Sequence, residues 1–169
     1  MHSQTYTNGA VYSIQNFENG MKEGKQQFFY EDGKLKTVEF YKKGRLEGEV
    51  LLYWPNGALK RKCAFKMGIR HGLDQMWSEE GKLLDEGRYV EGKPVGTHCR
   101  WTREGTLLEE IVYLEPNRFN LRSWDEKGNL RVDAQWEDGT TYHEKVWDRF
   151  QNIWIEKEGR WDGKKLVYV

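Results

Sequence analysis

Three ladders of glycine share one interval. Gly20, Gly44, Gly68 and Gly92 are spaced at 24 residues, as are Gly24, Gly48, Gly72 and Gly96, and Gly33, Gly57, Gly81 and Gly105. Gly9 extends the third ladder by one step. A fixed interval of this length marks a tandem array, so each repeat must be one small unit that completes its packing against its neighbours.

Large side chains keep the same step. Val11, Leu35, Leu59, Leu83 and Leu107 form one series, continued by Leu130 and Ile153 after the interval shortens to 23. Phe29, Tyr53, Trp77 and Trp101 form a second, continued by Trp124 and Trp147. Phe17, Tyr41, Phe65, Tyr89 and Tyr113 form a third, continued by Trp136. The slip near Pro116 reads as a one-residue deletion. The expected organisation is a single domain over 1–169, with regular repeats over 1–113 and degenerate, capping repeats over 114–169.

Each repeat divides into two short aromatic runs and two glycine turns. Lys25 to Tyr30 and Leu35 to Tyr41 read as strands, joined by Glu31-Asp32-Gly33-Lys34 and followed by the turn Lys42-Lys43-Gly44-Arg45. The same reading gives Val50 to Trp54 and Leu59 to Phe65, then Asp74 to Trp77 and Leu83 to Tyr89, then Thr97 to Trp101 and Leu107 to Tyr113. No crossover helix fits between such strands, so neighbours pair antiparallel. Beyond Tyr113, turns are expected at Glu115-Pro116-Asn117, Glu137-Asp138-Gly139 and Trp161-Asp162-Gly163, and a closing strand at Leu166 to Val169. Glycine interrupts every window long enough for an amphipathic helix. The expected fold class is all-β: an elongated, twisted, single-layer antiparallel meander of about five to seven hairpin repeats, with the periodic aromatics and leucines as its core.

Composition narrows the function classes. Lysine plus arginine number 27 and aspartate plus glutamate 27, so the net charge is zero. Nucleic-acid binding, which needs a basic stripe, is not expected. Neutrality also argues against simple attraction to an anionic bilayer. The sequence lacks a signal-peptide pattern and an apolar run of spanning length, which gives a cytoplasmic expectation, or an exported protein if a leader precedes it. Cys63 and Cys99 lie one and a half repeats apart, too far for a disulfide, and are expected as reduced thiols.

The units Gly44-Arg45-Leu46-Glu47-Gly48 with Tyr53-Trp54-Pro55-Asn56-Gly57-Ala58-Leu59-Lys60, and Gly68 to Leu83, resemble MORN repeats. More closely, they are similar to the bacterial variant found in proteins named as antitoxin components of toxin–antitoxin modules, the YwqK family. The resemblance covers 9–113 well and 114–169 poorly. It implies a non-catalytic scaffold that binds a protein partner, in antitoxin-like members a toxin. In other members the array docks proteins or phospholipids.

No catalytic motif emerges. The histidines are His2, His71, His98 and His143. His98-Cys99 with distant Cys63 lacks the paired spacing of a zinc site, and neither a metal nor a cofactor is expected. Neighbouring carboxylates such as Glu79-Glu80 and Glu109-Glu110 point to opposite faces of a strand. The glycines Gly24, Gly48, Gly72 and Gly96, with Tyr53, Trp77 and Trp101, read as structural repeat positions. Phe28, Tyr30, Leu52, Trp54 and Met76 fall outside the periodic aromatic series. Alternation turns them to the other face, where they would form an apolar patch, either exposed for a partner or covered by the degenerate C-terminal region. Their counterparts Ser78, Arg100 and Thr102 are polar. Leu166-Val167-Tyr168-Val169 would form an apolar edge suited to homodimerisation. Membrane lipid is the alternative partner.

Overall fold

The computed structural model describes residues 1–115, 118–137 and 139–169. Among these residues it contains strands and turns and no helix, and the strands form an antiparallel sheet in meander order. The turn at Glu115-Pro116-Asn117, the deletion near Pro116 and the centre of the Glu137-Asp138-Gly139 turn lie outside the described residues.

Two compact units divide the chain, 1–93 and 94–169. The first holds β1 (His2–Thr5), β2 (Val11–Gln15), β3 (Phe17–Glu18), β4 (Met21–Lys22), β5 (Gly24–Phe29), β6 (Leu35–Lys42), β7 (Arg45–Leu46), β8 (Gly48–Tyr53), β9 (Leu59–Lys66), β10 (Ile69–Trp77) and β11 (Leu83–Val90). Its strand order is β1-β2-β5-β6-β8-β9-β10-β11, with β7 on β6 and β3 paired to β4 in a separate ribbon. The second holds β12 (Lys93–Trp101), β13 (Leu107–Glu115), β14 (Arg118–Trp124), β15 (Leu130–Trp136), β16 (Thr141–Asp148), β17 (Ile153–Trp161) and β18 (Leu166–Tyr168), in sequence order.

Two turn types alternate in the first unit, and each explains one glycine ladder. At Asn19-Gly20, Lys43-Gly44, Met67-Gly68 and Glu91-Gly92 both residues have positive φ, between 49° and 84°. That is the two-residue turn whose twist matches antiparallel strands. At the opposite ends, Gly33 donates its N–H to Tyr30 O at 2.9 Å while Tyr30 N–H donates to Lys34 O at 2.8 Å. The same pair of bonds recurs at Trp54–Ala58 with Gly57 and at Ser78–Lys82 with Gly81.

The remaining ladder marks a bulge. Between β9 and β10, Arg70 pairs Phe65 and Asp74 pairs Cys63, so three residues face Ala64 alone. The middle one, Gly72, has φ +110°, and a Cβ on it would lie 3.2 Å from Ala64 Cβ. The chain turns here from the end of one hairpin onto the next, which is why β10 runs unbroken from Ile69, well before Asp74.

The core departs from the expectation. The periodic rings Phe29, Tyr53, Trp77, Trp101, Tyr41, Phe65 and Tyr89 are all half-buried. The buried positions are small or polar: Val38, Val50, Cys63 and Ala134, with Ser13, Gln26, Asp74 and Ser78. A single layer cannot enclose a large ring on all sides. Central residues of mid-sheet strands, roofed by the neighbouring rings, are what it can enclose.

One such line uses Gln26, Val50 and Asp74, spaced at 24, against Cys63 and Gly87 on the paired strands. Gln26, fully buried, accepts from Asn16 N–H at 3.0 Å and donates to Asn16 O at 3.0 Å. Asp74 accepts two hydrogen bonds from Arg61, at 2.8 and 2.9 Å, and lies 3.2 Å from Arg70 Nη1. Burial thus leaves no orphaned polar group there, which is how polar side chains are tolerated in a line that Val50 occupies one repeat earlier.

Candidate functional site

Successive repeats of the first unit are stitched at both rows of turns. At one row, Tyr6 Oη donates to Phe29 O at 2.8 Å, Tyr30 Oη to Tyr53 O at 2.7 Å, and Trp54 Nε1 to Trp77 O at 3.0 Å. These donors are 24 residues apart and each reaches the next repeat. Lys36 lies over the Tyr30 ring and Lys60 over the Trp54 indole, at 5.5 and 4.1 Å.

This places the residues expected to form an apolar patch. Phe28, Tyr30, Leu52, Trp54 and Met76 share the first unit, but all five are half-buried rather than exposed. Phe28, Leu52 and Met76 lie beside the buried line on the central strands. Tyr30 and Trp54 spend their polar ends on the following repeat. Position 78 then changes role: Ser78 is buried, and its hydroxyl accepts from Glu80 and Lys82 N–H at 3.2 and 3.3 Å within its own turn.

The other row carries the exposed chemistry. Gly44, Gly68 and Gly92 donate their N–H groups to Lys22, Leu46 and Arg70 carbonyls of the preceding repeat, at 2.8 to 2.9 Å. Lys43 N–H donates to Glu23 Oε2 at 2.7 Å, and Met67 N–H to Glu47 Oε2 at 2.8 Å. His71 stands where Glu23 and Glu47 stood. Each tip is therefore seated on the repeat before it, so its side chains project from an ordered platform.

A depression of about 510 Å³ opens between two of these tips, lined by Lys42, Lys43, Arg45, Glu47, Lys66 and Met67. Lys42, Lys43, Arg45 and Lys66 are exposed, and none forms an ion pair among the described residues. Met67 is 60% exposed, and Ile69 and Met21 of the same row are exposed. Elsewhere in the first unit Lys22 lies 4.7 Å from the centre of the Tyr41 ring, and burial holds the Tyr41 hydroxyl in its protonated form to higher pH than usual. The sequence carries the signal, since Lys42-Lys43-Gly44-Arg45 and Lys66-Met67-Gly68-Ile69 are equivalent tips. Their charge was hidden by the neutral total.

Some charges elsewhere are paired across strands. In the second unit Glu110, Arg122, Asp133, Lys145 and Glu156 are successive cross-strand partners, alternating in sign over five strands. Arg122 lies 3.3 Å from Asp133, and Lys145 2.8 Å from Glu156. Arg118 fills the space beside Trp136 and Trp161, 5.3 and 5.4 Å from the two rings. Neither cysteine is in a disulfide, and burial pushes the Cys63 thiol above its ordinary range. No three His, Cys, Asp or Glu side chains among the described residues converge as a metal site.

Residues 22–43 and 46–67 each match the family model described as the MORN repeat variant. The two matched stretches are similar to that repeat, and they contribute Lys42, Lys43, Glu47, Lys66 and Met67 to the depression. A comparison with curated proteins returns no match.

Proposed function

We propose that this chain is a non-catalytic repeat scaffold that docks a protein partner on the hairpin-tip row of its first unit. The observation that carries the reading is the cluster of four exposed, unpaired cations around exposed Met67, on tips hydrogen-bonded to the repeats beneath them. Exposed apolar surface set among unneutralised charge stabilises nothing in the folded chain, and such patches are the usual mark of an interaction surface. Phe28, Tyr30, Leu52, Trp54 and Met76 serve, in this reading, to hold the array in register. The resemblance to antitoxin components supports a finer form, in which the partner is a toxin held inactive by the complex.

The same cations beside Met67 and Ile69 favour a second reading, peripheral attachment to anionic phospholipid. Affinity capture of the tagged chain, compared with Lys42→Glu/Lys43→Glu, tests the first. One stoichiometric protein lost on charge reversal would support it, and inhibition of that protein's activity by the chain would support neutralisation. Co-sedimentation with phosphatidylserine vesicles, without a captured protein, would replace it by the second.

A further inference from the structure

Resting on that docking role, we infer that the tip row takes an acidic, extended segment with carboxylates about three residues apart and apolar residues between them. The charge comes first. Lys42, Lys43, Arg45 and Lys66 surround the depression, and its one lining carboxylate, Glu47, is engaged by the Met67 N–H. In a chain of zero net charge this is a local surplus, and the complementary partner is acidic.

The spacing follows from the sheet. Equivalent residues of successive repeats are two strands apart, about 10 Å at ~4.8 Å per strand, and an extended chain covers that distance in about three residues. Carboxylates at that interval meet the cations of one tip and then those of the next. A recess walled by individual side chains suits a peptide better than the flat surface of a bilayer.

Met67 supplies the apolar contact. It occupies the first turn position at φ +53°, where Asn or Gly is the locally favoured residue, and it is 60% exposed. Methionine there is unfavourable for the backbone and for solvation alike. A flexible thioether is, however, an adaptable contact for a partner's apolar side chain. The backbone cost is shared by Lys43 and Glu91 at the equivalent positions, so what sets Met67 apart is its exposed apolar side chain.

The test uses the full chain and a short fluorescein-labelled peptide with glutamate at every third position and leucine between. Fluorescence anisotropy should show saturable binding that weakens as salt rises. Lys42→Glu/Lys43→Glu should weaken it by about tenfold or more. Met67→Asn is the decisive variant. It should raise the melting temperature, because asparagine tolerates the turn geometry, and still weaken the peptide several-fold. A stabilised Met67→Asn chain with unchanged affinity would overturn the assignment of Met67. Failure of the acidic peptide, with a captured protein still lost on charge reversal, would overturn this inference and leave the scaffold reading standing. Failure of the peptide with binding to vesicles of equal phosphatidylserine and phosphatidylcholine would overturn both.

Discussion

The Trp54 indole N–H donates to the carbonyl of Trp77 at 3.0 Å, across one repeat interface, and Tyr30 does the same to Tyr53. These bonds leave from turn residues and end on the last strand residue of the next repeat, so they tie the ends of adjacent hairpins together. Trp54→Phe keeps a ring beneath Lys60 and removes the donor. It should cost about 1 kcal/mol in urea unfolding, and Tyr30→Phe a similar amount. Retained stability in both would show that water replaces the stitch.

Gly72 and Gly48 separate two causes of glycine preference. Both have positive φ, but only Gly72 meets a neighbour, Ala64 Cβ at 3.2 Å, while a Cβ at Gly48 enters open space. Gly48→Ala should cost about 1 kcal/mol through backbone strain. Gly72→Ala should cost about 2–3 kcal/mol, since strain and crowding add. Equal costs would mean that β9 yields without penalty.

Asp74 is buried against two arginines, and the preceding repeat shows how the position is filled without charge. Asp74→Ala removes the buried carboxylate that Arg61 and Arg70 share and should cost about 2 kcal/mol, since both arginines also reach solvent. The triple change Asp74→Val, Arg61→Thr, Arg70→Leu installs the residues found one repeat earlier at Val50, Thr37 and Leu46. It should recover most of that loss, because an ion cluster replaced whole leaves no uncompensated charge. A triple variant no more stable than the single one would contradict this.

Alkaline pH should act through Tyr142. Burial, with the charges of Glu144 and Tyr168 adding to it, pushes its hydroxyl up to about 12 from an ordinary 10.0. The folded chain therefore holds the proton more tightly than the unfolded chain. The resulting stability is complete below pH 10 and declines as pH rises towards and through 12. Tyr142→Phe should flatten that decline in thermal melts, and ultraviolet titration should lose its latest-ionising tyrosine in that variant. Coincident ionisation of every tyrosine near 10 would remove the basis for the prediction.

The glycine ladders made the fold legible, because positive φ at fixed intervals is a backbone requirement that few other residues meet. The paired tips, the two strands per repeat and the antiparallel order all follow from it. The core was less legible. The largest periodic residues were expected inside, whereas burial in one layer selects mid-strand positions such as Gln26, Val50 and Asp74, whose chemistry varies from repeat to repeat. Strand alternation also assigned Tyr30 and Trp54 to an open face without revealing their bonds to the next repeat, which are long-range contacts. The cations of the tip row were visible as residues but not as a cluster. Only the seating of each tip on the preceding repeat brings Lys42, Lys43, Arg45 and Lys66 around one depression.

Nuclear magnetic resonance of the labelled chain, titrated with the acidic peptide, locates the binding surface residue by residue. Saturable shifts are expected at Lys42, Lys43, Arg45, Lys66, Met67 and Ile69, with the Trp54 indole signal unmoved because its N–H stays hydrogen-bonded to Trp77 O. Shifts centred instead on Phe28, Leu52, Trp54 and Met76 would contradict this expectation, and would place the binding surface on the strands rather than at their tips.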